Sequence, residues 1–525
     1  MKIHPLFTSV VLALALAPAW ADATNRVIVQ PKDATMGGYY TVSINGEEAV
    51  SGKTYITNEV PVGSSITVTL TPNKSRQFLY WCRGVNPDKA RQASFTFTPT
   101  AERILIPLVR SSVAEPCTRT WINANPSSDK KDRPWYTDSH WSPSGVPGPD
   151  DDVVFNTPVA TYGYDFIAVK SLTVGAAAKI RIGVSNGGTS KYVDTDVESE
   201  YFTPYTTDGH GDIAIDASGD VILTNGCQLA VGCINNTEFT TSLKVGGDLM
   251  VGTGAKLCVF AGETNAVRSL ASGAGFIAVG GKLTVDTDGV IKPYSEPYTG
   301  GSVVISAESV EIAGSGSVNA DLCGYKCFAD KEPTTGCPGG FGSYGGTTYN
   351  GETTYGFLAS PVHPGSGNKY SGSSNLVRGG GLIRIHSRGD FSFSGTLRAT
   401  SSNSSGFAGS GSGGGIWVTA KSFTFGGGAA VDVSCGYVTT ATYSAGGRVA
   451  FAEVTDETAL TSFAASGVAS GYSVRKLEKF RQKYGETLSV NLSHGTSRSY
   501  TEDRVKCNGT FAWVEPSHGL ILLLR

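Results

Sequence analysis

Four arginines and a histidine crowd one short stretch of this chain: Arg378, Arg384, His386, Arg388 and Arg398, with Asp390 among them. A base beside cationic groups is what cleavage of an acidic polysaccharide requires, so Arg384, His386 and Asp390 form the candidate catalytic set. A solvated basic edge is the simpler account of the same residues and ranks ahead of it. A second chemistry is carbohydrate stacking on aromatic rings. Its candidates are Trp135, Tyr136 and Trp141, and then Phe341, Tyr344, Tyr349, Tyr355 and Trp417. A third is calcium, the one cofactor the composition suggests, because Asp150, Asp151 and Asp152 offer hard oxygen ligands in series. A solvated turn before a strand explains those three more simply. Asp194-Thr195-Asp196 and Asp286-Thr287-Asp288 are also close carboxylate pairs, but both read as turns. The seven histidines are scattered, and no Ser-His-Asp or His-Glu-x-x-His pattern emerges.

The elements that must position these groups are strands. Of 525 residues, 67 are Gly and only 17% are charged, which points away from helical bundles. The net charge of −3 gives no basic excess for a nucleic-acid backbone, so nucleic acid is not an expected partner.

A doublet, Gly-Gly-x-aliphatic-x-aliphatic, recurs. It starts at Gly246, Gly280, Gly300, Gly380, Gly413 and Gly446, with a degenerate copy at Gly211-Asp212-Ile213. The starts at 380, 413 and 446 are 33 residues apart, and 246 to 280 is 34. A fixed period of this size marks stacked repeats. A second strand some 15 residues after the first, as in Gly395-Thr396-Leu397-Arg398-Ala399, gives two expected strands per unit. The alternation turns Ile383, Ile385, Ile416, Val418, Val449 and Phe451 inward and Arg384, Trp417 and Ala450 outward. Gly is expected at the corners for its tolerance of positive φ. The aligned outward positions, read as Ala214, Met250, Thr284, Val304, Arg384, Trp417 and Ala450, assemble no acid pair. The expected fold is all-β: a right-handed parallel β-helix preceded by a small β-grasp-like or β-sandwich-like domain.

Met1 to Ala23 reads as a secretory signal. Lys2 starts it, Val10–Ala17 is its apolar core, and Ala19-Trp20-Ala21 or Ala21-Asp22-Ala23 is its cleavage site. No membrane span is expected after its removal. All ten cysteines lie beyond it, and export favours disulfides over zinc. Cys323, Cys327 and Cys337 lack a fourth metal ligand at a familiar spacing.

Residues 24–110 alternate apolar and polar residues in short runs, with Asn45-Gly46 as a hairpin turn. The stretch from Gly63 to Pro72, then Phe78-Leu79-Tyr80-Trp81-Cys82-Arg83-Gly84 and Phe95-Thr96-Phe97-Thr98, resembles the internalin-type bacterial repeat of exported surface proteins. Trp81 is expected to anchor its core. Residues 111–152 are a Trp/Pro-rich lead-in. Trp121, Asn125, Trp141, Gly145-Val146-Pro147 and Asp151-Asp152-Val153 resemble the segment that precedes β-helices in large adhesin-like proteins, with His140 where that pattern has Asn. Residues 153–454 are the repeat, with a Gly/Tyr/Cys-rich insertion at 323–378, and 455–525 are a C-terminal capping region. Within the latter, Leu477, Phe480 and Tyr484 give a short amphipathic helix, and the segment from Trp513 gives a terminal hairpin strand.

Gly379-Gly380-Gly381-Leu382-Ile383-Arg384-Ile385, Gly413-Gly414-Gly415-Ile416-Trp417-Val418 and Gly446-Gly447-Arg448-Val449-Ala450-Phe451 resemble the glycine-rich β-helix surface proteins of bacteria. The resemblance implies fold and exported location and carries no catalytic residue across. The leading expectation is an exported, non-enzymatic structural or adhesive protein, secreted or at the cell surface. Its partners would be an extracellular polysaccharide or a host or cell surface. The alternatives are a glycan-binding module and a polysaccharide lyase or glycoside hydrolase.

Overall fold

The computed structural model describes residues 23–30, 39–47, 50–51, 56–111, 115–123, 134–183, 212–233, 239–264, 269–326, 344, 354–367, 378–401, 411–435, 444–454, 456–493 and 508–517. The chain is all-β, with 47% of residues in strands. All of the expected signal segment but Ala23, the 184–211 stretch with Asp194 and Asp196, and Phe341 and Tyr349 lie outside the described residues.

Three long parallel sheets of ten, nine and ten strands dominate, and the chain visits them in cyclic order. Phe166–Val169 enters the third sheet, Ser171–Val174 the first and Lys179–Ile182 the second, and the next triplet repeats the order. Each rung therefore has three strands, not the two expected from sequence. The strand missed from sequence can be as short as Val221–Leu223, too brief to leave a clear alternation of its own.

The doublets consequently belong to two separate ladders. Gly246 and Gly280 precede strands of the first sheet, whereas Gly300, Gly380, Gly413 and Gly446 precede strands of the third. Met250 pairs with Thr284 in the first sheet, while Val304, Arg384, Trp417 and Ala450 align in the third, so the expected single outward column is two. The rungs starting at 380, 413 and 446 do lie directly on one another, as Ile383–Ile416–Val449 and Ile385–Val418–Phe451.

The doublet glycines also serve a different purpose from the one expected. Of the twelve, only Gly300 has positive φ. Most of the others sit where neighbouring rungs touch backbone to backbone, while Gly247, Gly281 and Gly381 first meet a side chain. A Cβ on Gly414 would lie 2.0 Å from the Gly381 carbonyl oxygen, and one on Gly447 1.9 Å from that of Gly414. Strands spaced about 4.8 Å apart leave no room there for any side chain.

Inward columns of Val, Leu and Ile run through the stack, for example Val174–Leu223–Val251–Val285–Ile312, and all are buried. Aromatic residues close both ends. At the start, Trp121, Trp135 and Trp141 gather around Phe155 with ring centroids 5.0–5.7 Å apart. At the other end, helix α2 (Leu477–Tyr484) occupies the place of a first-sheet strand and buries Phe480 against Phe425, Phe451 and Phe511. Helix α1 (Glu457–Ser466) was not anticipated from sequence. It is capped by the Asp456 carboxylate on the Ala459 N–H (2.6 Å) and ended by left-handed Gly467 (φ 74°). The strand Thr510–Pro516 finishes the third sheet, with Tyr472–Arg475 antiparallel beside it.

Residues 24–111 form two four-stranded sheets joined across their interface by Trp81 against Phe95, at 5.6 Å. No helix occurs among the described residues of this part. Trp81 is fully buried and donates to the Gln92 carbonyl. Tyr80 packs edge-on against Phe166 of the first complete rung, which makes the two cores continuous.

No disulfide is formed among Cys82, Cys117, Cys227, Cys233, Cys258, Cys323 and Cys435, contrary to expectation. Cys227 stands in a corner position framed by the buried Ala178 and Ala255 of adjacent rungs, where a small apolar group fits. Burial pushes its thiol up to about 12 and keeps it unreactive.

Gly414→Ala is expected to lower stability by about 3 kcal/mol through overpacking against the Gly381 carbonyl. Gly427→Ala, with nothing within 4 Å of its added Cβ, should stay within about 0.5 kcal/mol of the parent. Urea denaturation midpoints of the two variants check the pair.

Candidate functional site

The basic cluster is divided by the rungs. Arg384, His386 and Arg388 are carried on or beside Leu382–Ser387 of the third sheet, Asp390 opens the first-sheet strand, and Arg398 lies on the second sheet. Asp390 accepts from the Ser422 hydroxyl of the next rung. Arg388 pairs with Glu308 at 3.0 Å and Arg398 with Asp321 at 3.0 Å. Arg378 donates to the carbonyls of Gly324 and Ser295. The catalytic trio proposed from sequence therefore does not converge. Adjacent positions in sequence fall on different sheets once the chain turns the corner at Gly389.

Nor is Arg384 part of a solvated edge. It is 5% exposed, with Nη1 donating to the Leu270 carbonyl (2.8 Å) and Ser302 Oγ (3.2 Å), and Nη2 to the Ala271 carbonyl (2.6 Å). Its guanidinium carbon stands 5.5 Å from the centre of the Trp417 ring. Burial lowers its pKa to about 10, which still leaves it charged at neutral pH. His386 shares its Nδ1 with Thr419 Oγ1 at 2.7 Å. Burial lowers its pKa, with Glu457 opposing and Arg388 adding to the shift.

Arg384, Trp417 and Ala450 point away from the core column, as the alternation predicts, yet they are buried. Helix α1 and a short piece of the insertion lie over them. Ala359, Val362, Ala459, Phe463 and Ala464 join Trp417 and Ala450 in a second apolar cluster outside the main core. The Ser360 hydroxyl donates to the Phe463 carbonyl at 2.6 Å and ties the two coverings together.

Under this cover lies a cavity of about 410 Å³. The third sheet contributes Val304, Arg384, His386, Trp417 and Thr419; the turn before Gly275 adds Ser269, Ala271 and Ser272; α1 adds Leu460, Thr461, Ala464 and Ala465. Sequence reasoning named Arg384, His386 and Trp417 but placed them in different hypotheses. It missed α1, although Asp456 and Gly467 bracket that helix with a cap at each end.

The aromatic candidates for glycan stacking are used in packing. Trp135, Tyr136 and Trp141 are each at most 1% exposed, because they plug the first rungs. Tyr136 stacks on Tyr164 and donates to the Phe166 carbonyl. Tyr344 is buried beside Tyr355, and the Tyr355 hydroxyl donates to the Pro364 carbonyl at 2.7 Å. Arg448 holds the Tyr355 carbonyl and lies over the Tyr344 ring. These rings present no exposed, coplanar surface.

The three aspartates do not form a calcium shell. Asp150 is exposed, and Asp152 meets Lys170 and Ser171. Asp151 is fully buried, and its carboxylate accepts from Arg110, from Arg119 Nε (2.9 Å) and from the Gly148 (2.8 Å) and Cys117 (3.0 Å) backbone N–H groups. Arg119 also holds the carbonyls of Pro143, Ser144 and Gly145. The set clamps the lead-in onto both the small sandwich and the first rung. Among the described residues no group of three or more His, Cys, Asp or Glu is placed to hold a metal. Nor is any helix there long and apolar enough to cross a membrane.

No protein-family model, curated protein or solved structure matches the chain.

Asp151→Ala is expected to cost about 3–5 kcal/mol, because it leaves two buried guanidiniums without their anion. Asp150→Ala should be close to neutral. Desolvation pushes the Asp151 carboxyl up, but the Gly148 and Cys117 amides and the two arginines outweigh it and hold the group below the usual range. Its stabilisation is therefore present above roughly pH 4 and is lost as pH falls through the depressed folded value. The Tm gap between parent and Asp151→Ala should close on acidification.

Proposed function

We propose that the chain is an exported, right-handed parallel β-helix that acts as a non-enzymatic structural or adhesive module, secreted or held at the cell surface. The observation that carries this reading is the outer faces of the three sheets. Several of their charged side chains are engaged by neighbours on adjacent rungs, as Arg388 is by Glu308, Lys282 by Glu311 and Arg398 by Asp321. No carboxylate lines the cavity beneath α1. Such a surface suits a rigid rod better than acid–base cleavage of a glycosidic bond.

The cyclic order of the sheets and the single continuous core support the helical reading. The right hand follows from the strong bias of parallel crossovers. Export rests on the Met1–Ala23 sequence pattern. The shared core between the sandwich-like part and the first rung supports one stiff unit rather than beads on a linker.

Two measurements test the reading. Expressed in a bacterial host, the chain should appear in the exported fraction, and deletion of residues 2–23 should keep it in the cytoplasm. Incubated with a panel of acidic and neutral polysaccharides, the protein should release no oligosaccharide. Depolymerisation of any of them, or retention of the intact chain in the cytoplasm, would overturn the proposal.

A further inference from the structure

The geometry points to a small-molecule site under helix α1, on the outer face of the third sheet, that takes a carboxylate carried on a compact apolar body such as an aryl ring. This holds whether or not the chain works at a cell surface.

Three observations converge on it. The cavity of about 410 Å³ falls within the size range of small-ligand sites, and Val304, Leu460, Ala464 and the Trp417 indole give it apolar walls. It holds a ring or two and not a polymer. Arg384, in the same wall, is a buried cation whose partners are neutral: two backbone carbonyls and the Ser302 hydroxyl. Among the described residues no carboxylate pairs with it. A buried guanidinium without a counter-ion is costly, and a bound anion would supply one. Finally, Arg384 Nε and Trp417 Nε1 are both buried and without a hydrogen-bond partner. Native interiors rarely leave such donors unmet, least of all two on neighbouring rungs at paired positions.

A carboxylate answers all three. Its two oxygens have about four lone-pair sites, enough to accept from Arg384 Nε and Trp417 Nε1 together once the two side chains rotate to turn these covered N–H groups toward the cavity. Its single charge matches that of Arg384. The rest of the ligand must then suit a wall made of Val, Leu, Ala and indole. That argues against phosphate or sulfate, which would bring more charge and a hydration shell with no apolar body.

The test is calorimetric titration of the full chain with benzoate at neutral pH, with benzamide as the neutral counterpart of similar shape. Benzoate should bind saturably at one site, and benzamide at least about tenfold more weakly, since only the former makes charge-assisted bonds. Arg384→Gln should weaken benzoate by at least about tenfold. Because Arg384 is buried, a second variant guards against misfolding. Ala465 lines the cavity from an exposed position on α1. Ala465→Trp fills the space without removing a buried group, and should abolish binding while leaving the far-ultraviolet spectrum and Tm close to those of the parent. Absence of saturable benzoate binding, equal affinity for benzamide, or undiminished binding by a folded Ala465→Trp would each overturn the inference.

Discussion

Backbone touching backbone at the corners is the constraint on which the rest of the molecule depends. Parallel strands must stack at the spacing their hydrogen bonds dictate, and the chain must turn sharply between sheets. At Gly414 and Gly447 these demands meet, leaving about 2 Å between the preceding rung's carbonyl and where a Cβ would lie. Only glycine can stand there. Once those positions are met, Ile383, Ile416 and Val449 fall into register, as do Ile385, Val418 and Phe451, and an aliphatic interior follows with no further instruction. The outward neighbours Arg384, Trp417 and Ala450 are brought into line by the same register. The unusual feature of the third sheet, a cation beside an indole under a helical roof, is thus a by-product of corner geometry.

An interior of this kind has two open ends, and the chain treats them alike in kind but not in detail. The middle rungs are filled with Val, Leu and Ile. The first is closed by three tryptophans around Phe155, and the last by phenylalanines gathered on Phe480. Large flat rings cover more of an exposed cross-section per residue than aliphatics do and lose little rotamer freedom in doing so. The starting end adds a buried ionic clamp at Asp151, which ties the lead-in to the sandwich-like part through Arg110 and to its own loop through Arg119. Such a clamp adds little net stability compared with apolar packing, but removing one member is severe.

Much of this was legible in the sequence, and the misses share physical causes. The strands from 382, 415 and 448 could be read because strict alternation over five or six residues leaves one face apolar. The third strand of each rung was not read, because three residues such as Val221–Leu223 carry no periodicity. Glycine doublets at two different corners look identical in one dimension, which merged two ladders into one. Trp135 and Trp141 read as stacking candidates because they lie in an aromatic-rich segment, and a cluster of rings in sequence does not reveal which residues must close a stack. Arg384 and Trp417 do point to the outward face that the alternation gives them, but α1, which covers that face, has only a weakly amphipathic sequence and was passed over. Burial from a distant segment is the one property that local pattern cannot report.

The two aromatic closures touch only the rungs beside them, and the interior columns between are interchangeable in kind. Neither end can therefore sense how many rungs separate it from the other. The number of stacked rungs is thus not fixed by any contact between the two ends. The insertion between Asn319 and Leu382 illustrates the tolerance: Val318 still pairs with Leu397, and Ile305 with Ile385, as though the intervening residues were absent.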